Sequence, residues 1–211
     1  MGTVLDAHPD AEQFGTGSGA VLVTDVTDYQ EELITDEVFA NVLGVVRLPG
    51  SDAASFLRNA VDFVNDTVRG TLGATLIVHP STERAHREAV NRAVADLRYG
   101  TLGVNCWSAI GFLLGFTPWG AYPGHNRQSI GSGTGFVHNA FMLDEVEKTV
   151  LRAPFAPAPQ GLFKGCPSFC LRPPYLVTSR TALTTMRRLI RFTAAPSLLR
   201  LSAIVVSVLR R

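Results

Sequence analysis

Arg98–Gly135 reads RYGTLGVNCWSAIGFLLGFTPWGAYPGHNRQSIGSGTG, and the predicted fold is organised around this stretch. It opens with a β-rich run, Thr101–Cys106, and continues through an apolar and aromatic run, Trp107–Trp119. Its last part is punctuated by glycines, namely Gly120, Gly124, Gly131, Gly133 and Gly135. A strand that feeds such a loop is a common way to build the wall of a binding pocket. A buried strand with a well-packed loop fits the same pattern, because short apolar runs leave both readings open.

Strand-like and helix-like patterns alternate before this stretch. β-branched, apolar runs typical of strands occupy Ala20–Val26, Val42–Leu48 and Leu72–Val78. After the stretch, the alternating run Glu145–Arg152 predicts a strand with one exposed face. With helices between the middle strands, the order is β-α-β-α-β, which predicts an α/β fold with a mostly parallel sheet and covering helices.

Two helices are predicted between Ser51 and Leu97. The first has Ser51 and Asp52 as N-cap candidates and Gly70 as its C′ glycine. Its apolar face combines Phe56, Ala60, Phe63 and Val64. Ser81 is the predicted cap of the second helix, whose apolar face repeats every four residues as Ala85, Ala89, Ala93 and Leu97. Both helices are therefore expected to cover the sheet with one apolar face each.

The composition divides the chain into three parts. Residues 1–18 are polar and glycine-rich, and we expect a disordered lead-in there. Residues 19–155 form the predicted α/β domain. Residues 156–211 are expected to be a proline-rich extension followed by two helices, Thr181–Phe192 and Ser197–Leu209.

Charge and cysteine content exclude several classes of protein. Of the 211 residues, 46% are apolar and 18% charged, so the chain can bury a sizeable core. A formal net charge of +1 gives no electrostatic argument for a nucleic-acid partner. Three cysteines argue against a disulfide scaffold and favour a reducing, cytoplasmic location. With no apolar run of about 18 residues and no secretory pattern, we expect no transmembrane segment and no signal peptide.

Candidate reactive and charged groups have plainer structural readings. Cys106 follows a strand, and we interpret it as a buried structural thiol rather than a nucleophile. Cys166 and Cys170 lack a second pair with zinc-site spacing, so no metal site is predicted. Gly131–Gly135 does not follow a strand in a βα turn and precedes no lysine, which excludes a phosphate loop. The C-terminal arginines suit either a solvated helix face or a surface that binds lipid headgroups.

A set of short motifs occurs in a fixed order along the chain. They read DEVFANV at Asp36–Val42, VN at Val64–Asn65, LRYGTLGVN at Leu97–Asn105, TPWGAY at Thr117–Tyr122 and EVEKTV at Glu145–Val150. In order and spacing the set resembles the E-E-x-F-G-P-V, A-N, L-x-x-G-x-V-x-V-N, P-F-G-G and E-x-K-x-V motifs of the aldehyde dehydrogenase family. The resemblance covers about residues 19–155. It implies that this range is the C-terminal part of such a catalytic domain, including its oligomerisation strand.

The resemblance implies roles for particular residues. Glu37 matches the carboxylate that accepts hydrogen bonds from the nicotinamide-ribose hydroxyls of NAD or NADP, and Phe39 would pack near the nicotinamide. A carboxylate suits two hydroxyls because it accepts hydrogen bonds and donates none. The aldehyde tunnel would be lined by Trp107, Phe112, Phe116 and Trp119. Residues 145–151 would form the strand that pairs with another subunit.

The chain also departs from the family pattern. Asn41 stands in place of a proline, Trp119 in place of a phenylalanine and Ala121 in place of a glycine. The family's dinucleotide-binding half, general-base glutamate and nucleophilic cysteine precede the motif at Glu37, and the 36 residues before Glu37 contain no cysteine. Cys106 follows that motif and does not correspond to the nucleophile, so no catalytic residue is assigned.

Two functions are consistent with this pattern. The first is the C-terminal fragment of an NAD(P)-dependent aldehyde oxidoreductase, inactive alone, whose complete form oxidises an aldehyde to an acid through a cysteine thioester. The second is a non-catalytic interaction module. It would pair through residues 145–151 with a homologous subunit or with the missing half.

Overall fold

The computed structural model describes residues 8–155 and 181–209. The chain forms two compact units, Met1–Arg152 and Ala153–Arg211. The first unit contains eight strands and five short or medium α-helices among its described residues. The second contains two helices in its described part. The predicted α/β class is therefore confirmed for the first unit.

The first sheet lies at the N-terminal side of the first unit. Its strands are β1 (Glu12–Phe14), β2 (Val21–Asp25) and β3 (Val42–Val45), with β2 in the centre. β2 pairs antiparallel with β1 and parallel with β3, and the single-turn helix α1 (Glu32–Thr35) lies on the connection between β2 and β3. β1 lies within residues 1–18, where we expected disorder, and that expectation was wrong for Glu12–Phe14. The strand is ordered because its backbone groups pair with those of β2.

The second sheet holds the core of the first unit. It contains β4 (Gly73–Leu76), β5 (Thr101–Val104) and β8 (Thr149–Arg152), all parallel, with β5 in the centre. All four residues of β5 are buried, as expected for a central strand. Between β5 and β8 the chain forms a two-stranded ladder of β6 (Trp119–Gly120) and β7 (Phe136–Val137).

Helices pack against the second sheet and close its core. They are α2 (Ala53–Asp66), α3 (Pro80–Ala85) and α4 (Arg87–Asp96), followed beyond β5 by the single turn α5 (Ile110–Leu113). Their apolar side chains and those of the sheet form one buried cluster, composed of Leu57, Val61, Val78, Val90, Ala93, Val94, Leu97, Tyr99, Leu102 and Val104. This cluster gives the first unit a core of its own.

The strand order departs from one expectation. The pairing of β2 with β3 and of β5 with β4 and β8 is parallel, in agreement with the predicted mostly parallel sheet, but the strands are divided between two three-stranded sheets instead of lying in one. The strands are also shorter than the apolar runs that predicted them. β5, for example, ends at Val104 because Asn105 adopts φ 58° and its Oδ1 accepts a hydrogen bond from Val78 N at 2.8 Å.

Helix α2 starts where the sequence predicts but buries a face that was predicted only in part. Asp52 is its N-cap, and its carboxylate accepts a hydrogen bond from Ser55 N at 2.7 Å. The fully buried residues are Leu57 and Val61. Of the predicted face, Val64 packs against the core, whereas Phe56 is 44% exposed, so the prediction was only partly correct. The helix ends at Asp66, four residues before Gly70, which makes the predicted C′ role wrong. Gly70 adopts φ 100° in the turn that leads to β4.

The predicted second helix is two helices. Residue His86, with φ −126° and ψ 35°, separates α3 from α4. The cap of α3 is His79, whose Nδ1 accepts a hydrogen bond from Ser81 N at 3.2 Å, so the prediction of Ser81 as cap was wrong. Pro80 occupies the first helical position, where it needs no N–H partner. Ala85 is exposed at the break, and the buried face belongs to α4.

The second unit confirms two predicted helices. They are α6 (Ala182–Ala194) and α7 (Leu198–Leu209), and they pack against each other. Cys166, Cys170 and the rest of the segment 156–180 lie outside the described residues. Among the residues that are described, none of the helices is both long and apolar enough to cross a membrane.

Candidate functional site

The segment after β5 forms an aromatic cluster beside the second sheet. Phe112 packs edge-on against Trp119, with ring centroids 5.7 Å apart, and lies 5.3 Å from the ring of His138. We call these three residues the aromatic cluster. Of the four predicted tunnel residues, the structure therefore brings Phe112 and Trp119 together. The other two, Trp107 and Phe116, lie outside this contact on the same segment, and Phe112, Trp107 and Phe116 are all more than half exposed.

The aromatic cluster has buried polar atoms at its margin. Thr101 Oγ1 and His138 Nδ1 are shielded from solvent and have no hydrogen-bond partner among the described residues. Gly111 lies between Thr101 and the aromatic cluster, because a Cβ there would be 2.9 Å from Thr101 Cγ2 and 3.3 Å from Trp119 Cε3. Buried polar atoms without partners are costly, and a bound group with a hydroxyl or carbonyl would satisfy them.

Cys106 lies at the start of this segment and has a structural environment. It is half-buried, and its Sγ lies 3.7 Å from the carbonyl oxygen of Leu151 on β8. The next residues are also tied to the sheet, because Ser108 N donates to Thr75 Oγ1 at 3.2 Å. These contacts fit the interpretation of Cys106 as a packing residue between β5 and β8.

The glycine-rich loop lines a cavity of about 530 Å³. Tyr122 is one of its lining residues, and its hydroxyl donates to Glu147 Oε1 at 2.6 Å. This hydrogen bond to a carboxylate is the main reason that the pKa of Tyr122 is raised. Thr71 fixes the far side of the loop, since its Oγ1 lies 2.7 Å from His125 Nε2 and its N–H donates to Ser132 Oγ at 2.8 Å.

The glycines of this loop serve backbone packing. A side chain at Gly131 would clash with the ring of His125, and one at Gly120 would clash with the backbone of Gly135. Gly124, Gly131 and Gly133 also adopt positive φ. Close approach of β6, β7 and the loop therefore explains the glycine content without a bound phosphate.

A larger cavity, of about 660 Å³, lies between helices α2 and α4 and is lined by none of the residues of the aromatic cluster or of the glycine-rich loop. Core residues such as Leu57, Val61 and Ala93 form part of its wall, and charges of both signs line the rest. One pair of those charges, Arg92 and Glu88, interacts at 3.2 Å. We interpret this cavity as a groove between packed helices rather than as a functional site.

Glu37 and Phe39 lie beside the other sheet, on the connection between α1 and β3. Both are exposed, and Phe39 is 92% exposed. Their neighbour Asp36 pairs with Arg69 at 3.3 Å, also on the surface. At this exposure the Phe39 ring forms no closed pocket with Glu37 among the described residues.

Three residues of this region have structural roles that the amino-acid pattern does not reveal. The apolar pattern gave no sign that Thr101 and His138 would have buried polar atoms, because their burial depends on contacts with segments distant in sequence. Lys148 was noted as a motif residue, yet its Nζ donates to the carbonyl oxygens of Val94, Ala95 and Leu97 at the end of α4. A lysine one residue before a strand carries no signal of that role.

Compared with known proteins, the chain matches no family, no curated protein and no solved structure.

Proposed function

We propose that the chain is an interaction module of the aldehyde dehydrogenase type. Its strand β8 would accept a strand from a homologous subunit or from the half of the enzyme that carries the catalytic cysteine. The observation that supports this proposal is the position of β8 at the edge of the parallel sheet. Among the described residues, no strand pairs with the side of β8 opposite β5.

β8 is held in place at both ends, which presents its edge in a fixed geometry. At its start, Lys148 donates to three carbonyl oxygens at the C-terminus of α4, at 2.5 to 3.2 Å. At its end, Arg152 contacts Asn91 at 3.2 Å and Glu83 at 3.5 Å. A strand that is already ordered loses little conformational entropy when a partner strand is added.

The backbone of β8 identifies the groups that would bind a partner. Thr149 N donates to Gly100 O at 2.8 Å, toward β5. Because N–H groups alternate in direction along a strand, those of Val150 and Arg152 point away from β5. The side chain of Val150 is also exposed, so the outer edge combines an apolar residue with backbone donors that bond to none of the described residues.

The substitution Val150→Pro tests strand addition. It removes an outward N–H, and proline is tolerated at a sheet edge, so the chain should stay folded. Size-exclusion chromatography with light scattering should show association of the unchanged chain with itself or with a purified full-length aldehyde dehydrogenase, and Val150→Pro should abolish it. The control is Val150→Thr, which keeps the N–H and the β-branched shape and should associate normally. Equal association of both variants would contradict the proposal.

The second candidate is a cytoplasmic fragment of an NAD(P)-dependent aldehyde oxidoreductase. The packing of Phe112, Trp119 and His138 supports it, because an apolar aromatic wall suits an aldehyde tunnel. The exposure of Glu37 and Phe39 supports the expectation of inactivity alone. Purified chain with NAD+ or NADP+ and a panel of aldehydes should therefore form no NAD(P)H, and formation above a mock purification would refute that expectation.

A further inference from the structure

The two helices of the second unit meet through small and polar side chains. Thr185 on α6 donates from Oγ1 to Ser207 Oγ on α7 at 3.1 Å, and both residues are buried. Arg188 Nη1 donates to Ala203 O at 2.6 Å across the same seam. We call these four residues the seam. Helices that pack in water normally bury large apolar side chains between them. Among the described side chains of this helical hairpin, the fully buried ones are Thr185 and Ser207, and the large apolar residues Phe192 and Ile204 are only half-buried.

Most of the large apolar side chains described on the two helices are exposed, and Phe192 and Ile204 are half-buried. On α6, Leu183, Met186 and Ile190 fall on one exposed stripe at three- and four-residue spacing. On α7 the exposed apolar residues include Leu198, which is 85% exposed, and Leu199, Leu201, Val205 and Val206. Hydrogen bonds inside and large apolar residues outside are the arrangement expected for helices whose surroundings are apolar.

The charge of this unit is of one sign. Residues 181–211 contain no aspartate or glutamate and six arginines, at positions 187, 188, 191, 200, 210 and 211. Arg188 is used in the seam, and Arg200 donates to Ala195 O at the end of α6 at 2.6 Å. Arg187 and Arg191 are exposed beside the apolar stripe of α6 and form no ion pair with a described residue. An apolar stripe flanked by arginines complements an anionic lipid surface.

The helix lengths decide how such a surface would be bound. α6 has 13 residues and α7 has 12, which correspond to roughly 20 Å at about 1.5 Å per residue. The hydrocarbon core of a bilayer is about 30 Å thick. Neither helix is long enough to cross it, so the hairpin would lie in the plane of the headgroups.

We propose that the α6–α7 hairpin binds anionic lipid membranes. The exposed leucines, isoleucine and valines would enter the headgroup–acyl boundary, and Arg187 and Arg191 would contact lipid phosphates. The seam would hold the two helices together without using the apolar residues that the membrane needs. This role is independent of strand addition at β8.

Vesicle flotation with the full chain tests the proposal. We expect the chain to float with phosphatidylcholine vesicles that contain phosphatidylglycerol. It should float much less with phosphatidylcholine alone, and added salt should weaken the binding. No flotation with the anionic vesicles would overturn the proposal.

Paired variants identify the surface. Each arginine near an anionic surface is worth about fivefold in binding, so Arg187→Gln with Arg191→Gln should weaken partitioning about 30-fold. The control pair, Arg84→Gln with Arg127→Gln, changes the net charge equally on exposed sites of the first unit and should bind normally. Ile190→Gln should weaken partitioning at least about tenfold. Its control, Ile77→Gln, alters a comparably exposed isoleucine of the first unit and should have no effect.

Three results would overturn the assignment of this surface. In the first, the control variants lose binding as much as the hairpin variants do. In the second, the hairpin variants bind as well as the unchanged chain. In the third, light scattering shows a dimer that Ile190→Gln dissociates, while the chain does not float with vesicles, so the surface would be covered by a second copy. Circular dichroism of each variant verifies that the helices remain formed.

Discussion

At the scale of single residues, Tyr99 shows how one side chain joins distant parts of the core. Its ring is 7% exposed, and its hydroxyl donates to Val64 O in the last turn of α2 at 3.0 Å. The sequence placed Tyr99 in the motif that follows the second predicted helix but gave no sign of this hydrogen bond, because its partner lies 35 positions earlier. Burial also raises the pKa of Tyr99, since the buried phenolate would be poorly solvated.

The raised pKa predicts a loss of stability at high pH. A tyrosine that ionises near pH 10 when unfolded and later when folded stabilises the native state below about pH 10, and this contribution is lost above it. We expect Tyr99→Phe to lower the free energy of unfolding by about 1 kcal/mol at neutral pH through the lost hydrogen bond. This difference should shrink as the pH rises past about 10.

Urea unfolding at a series of pH values measures the difference. Comparison with the unchanged chain removes the titration of other groups, because they are common to both proteins. Tyr29→Phe is the control, since Tyr29 is exposed and its ring rests on Phe63. A difference for Tyr99→Phe that stays constant from pH 7 to pH 11 would contradict the prediction.

At the scale of elements, the sequence predicted what apolar periodicity determines and missed what packing determines. β5 was predicted because a central parallel strand is an uninterrupted apolar run. The buried face of α2 was predicted only in part, because Phe56 and Leu57 are both apolar and the position of α4 decides which one turns inward. The turn α5 was missed for a related reason: Gly111 is a poor helix former whose role is close contact with β5.

The contact at Gly111 predicts an asymmetry between two nearby glycines. In Gly111→Ala the new methyl group would lie 2.9 Å from Thr101 Cγ2 and 3.3 Å from Trp119, so α5 must shift away from β5. We expect a loss of about 1–3 kcal/mol in the free energy of unfolding, typical of overpacking in a core. Urea unfolding followed by tryptophan fluorescence measures this loss.

Gly115→Ala is the matched control. A Cβ at Gly115 has no heavy atom within 4 Å, and its backbone does not have positive φ. The free energy of unfolding should therefore change by no more than about 0.5 kcal/mol, as for most surface substitutions. Equal losses at the two positions would show that α5 does not seat on β5 through Gly111.

At the scale of the whole molecule, the two units bury their surfaces in different ways. The first unit encloses one contiguous apolar cluster between its second sheet and helices α2 and α4. The second unit buries Thr185 and Ser207 and leaves leucines and valines exposed. The positions of α6 and α7 could be predicted from the sequence, because Pro196 separates two apolar, arginine-containing runs. Their polar seam could not, because a threonine and a serine 22 positions apart give no pattern.

This difference predicts that the second unit opens far more readily in water than the first. Isolated helices shorter than about 12–15 residues are marginal in water, and a seam of a few hydrogen bonds adds little to them. Hydrogen exchange of the full chain, followed by mass spectrometry, should therefore show weak protection of amides in α6 and α7.

Helix α4 is the internal control. It has 10 residues against 13 in α6, yet Val90, Ala93 and Val94 are buried in the core. We expect the amides of α4 to exchange at least about 100-fold more slowly than those of α6, which corresponds to about 2.7 kcal/mol of opening free energy. Equal protection of the two helices in dilute protein would mean that apolar packing, rather than the seam, holds the hairpin together.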